Sequence, residues 1–310
     1  MLFRSDATVC SGSDATITLS NSETNVDYQL RLESDDSDVG SAVSGTGSDI
    51  TFTVSPTGNT TYNVLATTSE GCEVELSDKT TVTVNPLPQI ALGVSDDAIC
   101  SGETASITLS NSENSVVYQL RQNSDDTPVG ATQTGNNGDL TFNVSPTSTT
   151  EYNILANNGC QAELTDISTV TVNPLPDNTL SVSDVTICKG ETATITVGNS
   201  ESGIDYQLRL ESDDSHVGSA VAGTGGDITF DVSPTSSTTY NVYASSGSGC
   251  SRELNNTATV TVNDLPTDAL AVSDDAVCDG ENATVTISNS QSGVEYQLRL
   301  DSDDSDAGSS

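Results

Sequence analysis

The chain has 310 residues, with 45 Asp and Glu against 8 Lys and Arg, a formal net charge of −37, 33% hydrophobic residues and 4% aromatics. That charge argues against nucleic acid, or the anionic face of a membrane, as an electrostatic partner. No stretch approaches the ~18 consecutive apolar residues of a membrane span, and Met1-Leu2-Phe3-Arg4-Ser5 has no signal-peptide pattern, so an export signal is expected outside this segment.

Low hydrophobicity with high charge favours disorder, but here the apolar residues alternate. Ala15, Ile17 and Leu19 alternate with Thr16 and Thr18; Val26, Tyr28, Leu30 and Leu32 alternate with Asp27, Gln29 and Arg31. Ile50, Phe52 and Val54 follow, then Tyr62, Val64 and Ala66, then Val82 and Val84. Period two with β-branched and aromatic residues predicts strands. Ser55-Pro56-Thr57-Gly58-Asn59, Gly45-Thr46-Gly47 and Ser69-Glu70-Gly71 supply the turns.

The pattern then repeats. Cys10, Cys100, Cys188 and Cys278 are spaced 90, 88 and 90 residues apart, and Cys72, Cys160 and Cys250 are spaced 88 and 90 apart. The linkers Asn85-Pro86-Leu87-Pro88, Asn173-Pro174-Leu175-Pro176 and Asn263-Asp264-Leu265-Pro266 keep the same phase, and their prolines end a strand and stiffen the join. The expected modules are 1–87, 88–175, 176–265 and a truncated 266–310, a piece of a longer array. Alone, 266–310 should be poorly ordered. About seven short strands per module predict an all-β chain of tandem immunoglobulin-like sandwiches arranged as an extended rod. Such a small core gains from disulfides, which imply an oxidising compartment. Pairing Cys10 with Cys72, Cys100 with Cys160 and Cys188 with Cys250 would close loops of about 60 residues and leave Cys278 without a partner in the segment. Two cysteines per module and one His in the whole chain do not supply the four ligands of a zinc site.

The unit resembles the immunoglobulin-like repeats of large secreted and surface proteins of the Bacteroidota. The motifs that carry the resemblance are Cys-Ser-Gly-Glu-Thr-Ala at 100–105, Tyr-Gln-Leu-Arg at 118–121, Ser-Pro-Thr-Ser-Thr-Thr-Glu-Tyr-Asn at 145–153 and Thr-Val-Thr-Val-Asn-Pro-Leu-Pro at 169–176. It covers essentially the whole chain, through the order and spacing of motifs rather than any one of them. It implies stalk modules of adhesins, associated with gliding motility or type IX secretion, with binding ends elsewhere. The cysteine placement departs from that of antibody domains, and no Trp sits on the Tyr28 strand.

Candidate chemistry is sparse. His216 is the only histidine, and Asp38, Pro128 and Asp306 stand at its equivalent positions, so a catalytic role is not expected. Acidic tips recur at Asp35, Asp36 and Asp38, at Asp125 and Asp126, and at Asp213 and Asp214. Clustered carboxylates suit calcium, although no EF-hand spacing is present; the competing reading is a solvated hairpin tip. Asp96 and Asp97, beside a linker, raise the same pair of readings. Tyr28, Tyr118, Tyr206 and Tyr296 alternate with leucines and belong to the core. Tyr62, Tyr152 and Tyr240 are expected to form tyrosine corners bonded to nearby backbone, and Tyr243 to be exposed. Arg31, Arg121, Arg209 and Arg299 are expected on an outer strand face, in weak salt bridges.

These features point to an extracellular, non-enzymatic stalk or filament segment whose partners are neighbouring repeats of the same longer chain, with lateral self-association open. The alternative is an array of modules that bind carbohydrate or another cell-surface ligand weakly, with avidity from multivalency.

Overall fold

The computed structural model describes residues 2–4 and 7–308, and every regular element among them is a β-strand. The first copy contributes β1 (Leu2–Arg4), β2 (Ala7–Cys10), β3 (Ala15–Ser20), β4 (Val26–Leu32), β5 (Val43–Ser44), β6 (Ile50–Val54), β7 (Thr60–Thr68), β8 (Glu73–Glu75) and β9 (Thr80–Asn85). One sheet runs β1-β3-β6 and the other β2-β9-β7-β4-β5, with β8 also paired to β7. Register follows the alternation. Ile17 lies opposite Phe52, and Leu30 opposite Val64. These inward residues of both sheets form one core, in which Ile17, Leu19, Tyr28 and Leu30 are fully buried.

The second copy repeats the order as β10 (Asp97–Cys100), β11 (Ala105–Leu109), β12 (Val117–Gln122), β13 (Gln133–Thr134), β14 (Leu140–Val144), β15 (Thr150–Asn157), β16 (Gln161–Glu163) and β17 (Ser168–Asn173). The third does so as β18 (Val185–Cys188), β19 (Ala193–Val197), β20 (Ile204–Leu210), β21 (Val221–Ala222), β22 (Ile228–Val232), β23 (Thr238–Ser246), β24 (Ser251–Glu253) and β25 (Ala258–Asn263). In each copy the cysteine-ending strand runs parallel to the last strand, so Cys10, Cys100 and Cys188 lie opposite Asn85, Asn173 and Asn263.

One close approach recurs in every complete copy. A Cβ built on Gly45, Gly135 or Gly223 would fall within about 2 Å of the carbonyl oxygen of Glu23, Glu113 or Glu201. The adjoining tyrosine closes the same loop: the Tyr28, Tyr118 and Tyr206 hydroxyls accept the amides of Glu23, Glu113 and Glu201 at 2.8–2.9 Å. The corner-like bond to backbone is therefore made by these tyrosines and not by the Tyr62 set. Burial raises the hydroxyl pKa of Tyr62, Tyr152 and Tyr240, with partial relief from a hydrogen bond with the side chain of Thr60, Thr150 or Thr238.

Residues 266–308 hold only β26 (Ala271–Val272) and β27 (Ile287–Ser288). Val277, Val285 and Leu298 are 42–45% exposed, whereas Ile99, Ile107 and Leu120, their equivalents in the second copy, are at most 6% exposed. Without the later strands, core-type side chains here have nothing to pack against. By contact density the chain divides into two compact units, Met1–Asn173 and Pro174–Ser310. The first two copies thus form one unit, although the sequence reads as a string of equal modules.

Candidate functional site: the cysteine joint

The two cysteines of a copy lie at opposite ends of its sandwich. Cys10 ends β2, beside the last residue of β9, and so sits where the chain leaves the module. A tight turn fixes it there: Ser11 N donates to Asn85 O and Ser13 N to Cys10 O, both at 2.9 Å, around Gly12 at φ 83°. In the second and third copies a glutamate reinforces the turn, with Glu103 and Glu191 accepting the Cys100 and Cys188 amides at 2.8 Å. The second cysteine occupies the β7–β8 hairpin or its equivalent, where Thr68 N bonds Cys72 O and Ser246 N bonds Cys250 O. Because β7 runs antiparallel to β9, that hairpin lies at the end where the chain enters.

This placement overturns the intramodule pairing. At a rise of ~3.4 Å per residue, the length of β7 separates Cys10 from Cys72 by about 30–40 Å, whereas a disulfide needs Cα atoms within about 7 Å. The bond formed instead is Cys10–Cys160, with Cα atoms 5.6 Å apart and a sequence separation of 150. It joins the exit of the first module to the entry hairpin of the second. Cys72 and Cys188, expected to pair within their modules, are free and exposed, and so is Cys278, for which no partner was expected in the segment. Cys100 and Cys250 are both disulfide-bonded, so neither Cys100–Cys160 nor Cys188–Cys250 forms.

Polar contacts support the joint. Asn158 Nδ2, in the same hairpin as Cys160, donates to Pro86 O at 3.2 Å across the linker. The first amide after the linker prolines is held as well: Gln89 N donates to Glu113 Oε2 and Asp177 N to Glu201 Oε2, both at 2.6 Å. Glu113 is also the residue whose amide binds the Tyr118 hydroxyl. Core tyrosine, loop glutamate and linker amide thus form one connected path from core to junction.

The acidic tips have local partners. Asp36, Asp126 and Asp214 take φ of 57–59°, a left-handed conformation that Asp tolerates better than most residues. There each folds back over an arginine. In the second copy Arg121 Nη2 contacts Asp126 at 3.1 Å and Glu163 at 2.5 Å, and its Nε donates to Asn153. Arg209 repeats this with Asp214, Glu253 and Asn241. Arg31, Arg121 and Arg209 side chains are only 13–15% exposed, so they are covered rather than displayed on an outer face. Asp35, Asp125 and Asp213 accept the amides of Ser37, Thr127 and Ser215 two residues on, and these local hydrogen bonds hold their carboxyls below the ordinary range. Asp38 pairs with Arg31 through an isolated backbone bridge.

Near the linker, Asp96 accepts Thr169 N at 2.7 Å, and Asp97 accepts Ala98 N and Ser106 N at 2.8 Å. These bonds clamp the start of β10 to its neighbours. Among the described residues no group of three or more His, Cys, Asp or Glu side chains is placed to hold a metal ion. His216 is exposed and forms a backbone bridge with Arg209. Tyr243 is half-buried, with the Arg209 guanidinium 4.5 Å from its ring centroid and its hydroxyl bonded to Ser251. No helix of the described residues is long and apolar enough to cross a membrane.

Two packed sheets, with the first and last strands of one sheet parallel, repeated three times, define a tandem array of immunoglobulin-like domains. The chain belongs to the family of Ig-like domains described as CHU_C associated, a Bacteroidota-type domain whose family model matches residues 2–86 and 176–263. The comparison with curated proteins returns no match. Among solved structures, the chain is similar to the I-band fragment I67–I69 of titin at 11% identity and a TM-score of 0.46, covering 83% of this chain and 95% of that one. It is also similar to a Ca2+-stabilized adhesin with which an Antarctic bacterium binds ice, at 14% identity and a TM-score of 0.40, covering 87% of this chain and 74% of that one.

Proposed function

We propose that this chain is a spacer segment of an extracellular adhesin stalk, in which each module adds length and the first junction is covalently closed. The observation that carries the reading is the Cys10–Cys160 bond between successive modules. A bond across a junction restrains the angle between neighbours, which a binding module acting alone does not need. A structural disulfide also fits an oxidising compartment and hence the cell exterior. The polar side chains collected above serve strand starts, hairpin tips and the junction, and this use of them favours a structural over a catalytic role. Neighbouring modules are strongly alike in charge: residues 88–175 hold ten acidic residues and one Arg. Their repulsion favours extension and weakens with screening.

Small-angle scattering on the oxidised chain, with calcium and then with EDTA, tests this. Modules of ~35–45 Å predict that residues 1–265 span about 110–130 Å. A rod in both conditions supports the spacer reading without calcium. Flexibility appearing only in EDTA would give calcium a structural role. A compact particle in both would overturn the spacer reading.

A further inference from the structure

We infer that the second module carries a binding site for a short neutral sugar chain, in the cleft between its hairpin tip and its Ser-Pro-Thr turn. The inference goes beyond the spacer reading and does not depend on it. The cleft has a volume of about 800 Å³, within the roughly 300–1,000 Å³ of small-ligand sites. One wall is the end of β12 and the start of the tip, Gln122, Asn123 and Ser124; the other is the turn from β14 into β15, from Asn143 to Glu151. Val129, Pro146 and Tyr152 supply its apolar part.

The walls are tied before any ligand arrives. Asn123 N donates to Glu151 O at 3.0 Å, and Asn123 Nδ2 donates to Glu151 Oε2 at 3.1 Å. Thr150 Oγ1 donates to Ser148 O at 2.8 Å and Thr149 Oγ1 accepts Val172 N at 3.1 Å, so the turn is fixed as well. Polar groups already held in place lose little freedom on binding.

The lining selects the class of ligand. The side-chain amides of Gln122, Asn123 and Asn143 donate and accept, the serine and threonine hydroxyls do the same, and the Glu151 carboxylate accepts. That mixture matches the closely spaced hydroxyls of a sugar, each of which is both donor and acceptor. Among the described residues that line the cleft there is no Lys, Arg or His to hold a phosphate, sulfate or carboxylate. The ten acidic residues and one Arg of residues 88–175 repel anions as well. Glu151 is the single carboxylate of that lining, where a divalent cation is held by several charged or carbonyl oxygens.

The cleft is particular to the second copy. Gln122 and Asn123 stand where the first and third copies have Leu32-Glu33 and Leu210-Glu211, and Glu151 stands where they have Thr61 and Thr239. In the first copy the cavity at this place is about 460 Å³, and Glu33 is engaged by Lys79 and Asn63. Leu-Glu and Gln-Asn thus end the same strand in the same sandwich. Exchanging one pair for the other alters the cleft and leaves the fold.

Two-dimensional NMR of the isotope-labelled 310-residue chain tests the site. Maltotriose, cellotriose, mannotriose and N-acetylchitotriose serve as neutral probes and sialyllactose as the anionic one, all at millimolar concentration. The expected result is saturable shifts of the Asn123, Ser148 and Glu151 amides with at least one neutral probe, and none with sialyllactose. The double variant Gln122→Leu, Asn123→Glu restores the residues of the other two copies. It should keep the spectrum of the folded chain and weaken that binding by about tenfold or more. Four results would overturn the inference: no shift in the cleft with any neutral probe, shifts centred elsewhere, equal binding of sialyllactose, or binding unchanged in the double variant. None of them alters a scattering rod, so the two readings fail separately.

Discussion

Gly135→Ala should damage both the second module and its junction. The added methyl would lie 1.9 Å from Glu113 O and 3.0 Å from Tyr118 Cε2. The obstacle is backbone, so one of the two segments must move by more than an ångström to reach ordinary contact. That movement strains the Gly135 N to Val116 O bond at 2.8 Å, the Ser115 N to Gly135 O bond at 3.0 Å and the Glu113 N to Tyr118 hydroxyl bond at 2.9 Å. Overpacking costs about 1–3 kcal/mol, and each buried hydrogen bond lost adds roughly 0.5–1.5 kcal/mol. The expected destabilisation is about 3–5 kcal/mol, a large share of a domain's ~5–15 kcal/mol. Gly93→Ala is the control, since nothing lies within 4 Å of its Cβ position and its φ is not left-handed. It should change stability by no more than about 0.5 kcal/mol. Differential scanning calorimetry of the oxidised chain should show the Gly135→Ala transition lowered by about 15 °C or more. Equal effects from the two substitutions would refute the argument that a backbone approach dictates this glycine.

Two further perturbations probe the polar framework and the core. Arg121→Ala removes the group that joins Asp126, Glu163 and Asn153; because both carboxylates are about half exposed and can rehydrate, urea unfolding should register a loss of only about 1–2 kcal/mol. Burial raises the hydroxyl pKa of Tyr62, Tyr118, Tyr152, Tyr206 and Tyr240. A raised folded-state pKa contributes stability that is complete below the ordinary value near ~10 and is lost as pH rises through the folded-state values. Tyrosinate absorbance should therefore rise together with loss of the β-sheet circular dichroism signal, and ordinary titration of these residues with the fold intact would contradict it.

The strands and most of the core were legible because period-two alternation is a direct imprint of a half-buried sheet. Ile17, Tyr28 and Phe52, with their equivalents, are buried as the alternation requires. Covered arginines were harder to foresee. Alternation puts Arg31 on the face away from the core, and only the hairpin turning back at Asp36 covers it. Cysteine pairing was illegible to spacing alone, because it depends on which end of the sandwich each cysteine occupies. That is decided by the parallel pairing of β2 with β9, which alternation does not report. In the fold the exit cysteine lies at the end where the Asn-Pro linker begins, which is the end that meets the next module's entry hairpin.

Pulling single molecules from their two ends, oxidised and then reduced, tests the junction-locked spacer most directly. The Cys10–Cys160 bond encloses a loop of 150 residues in sequence separation, about 500 Å of extended chain. In the oxidised chain force crosses from residue 10 to residue 160 through sulfur, and residues 11–99, which lie off that path, should release no length. On reduction, unfolding steps of about 300 Å, one per module, should appear from this region. Identical step lengths and step numbers in the two states would contradict the account.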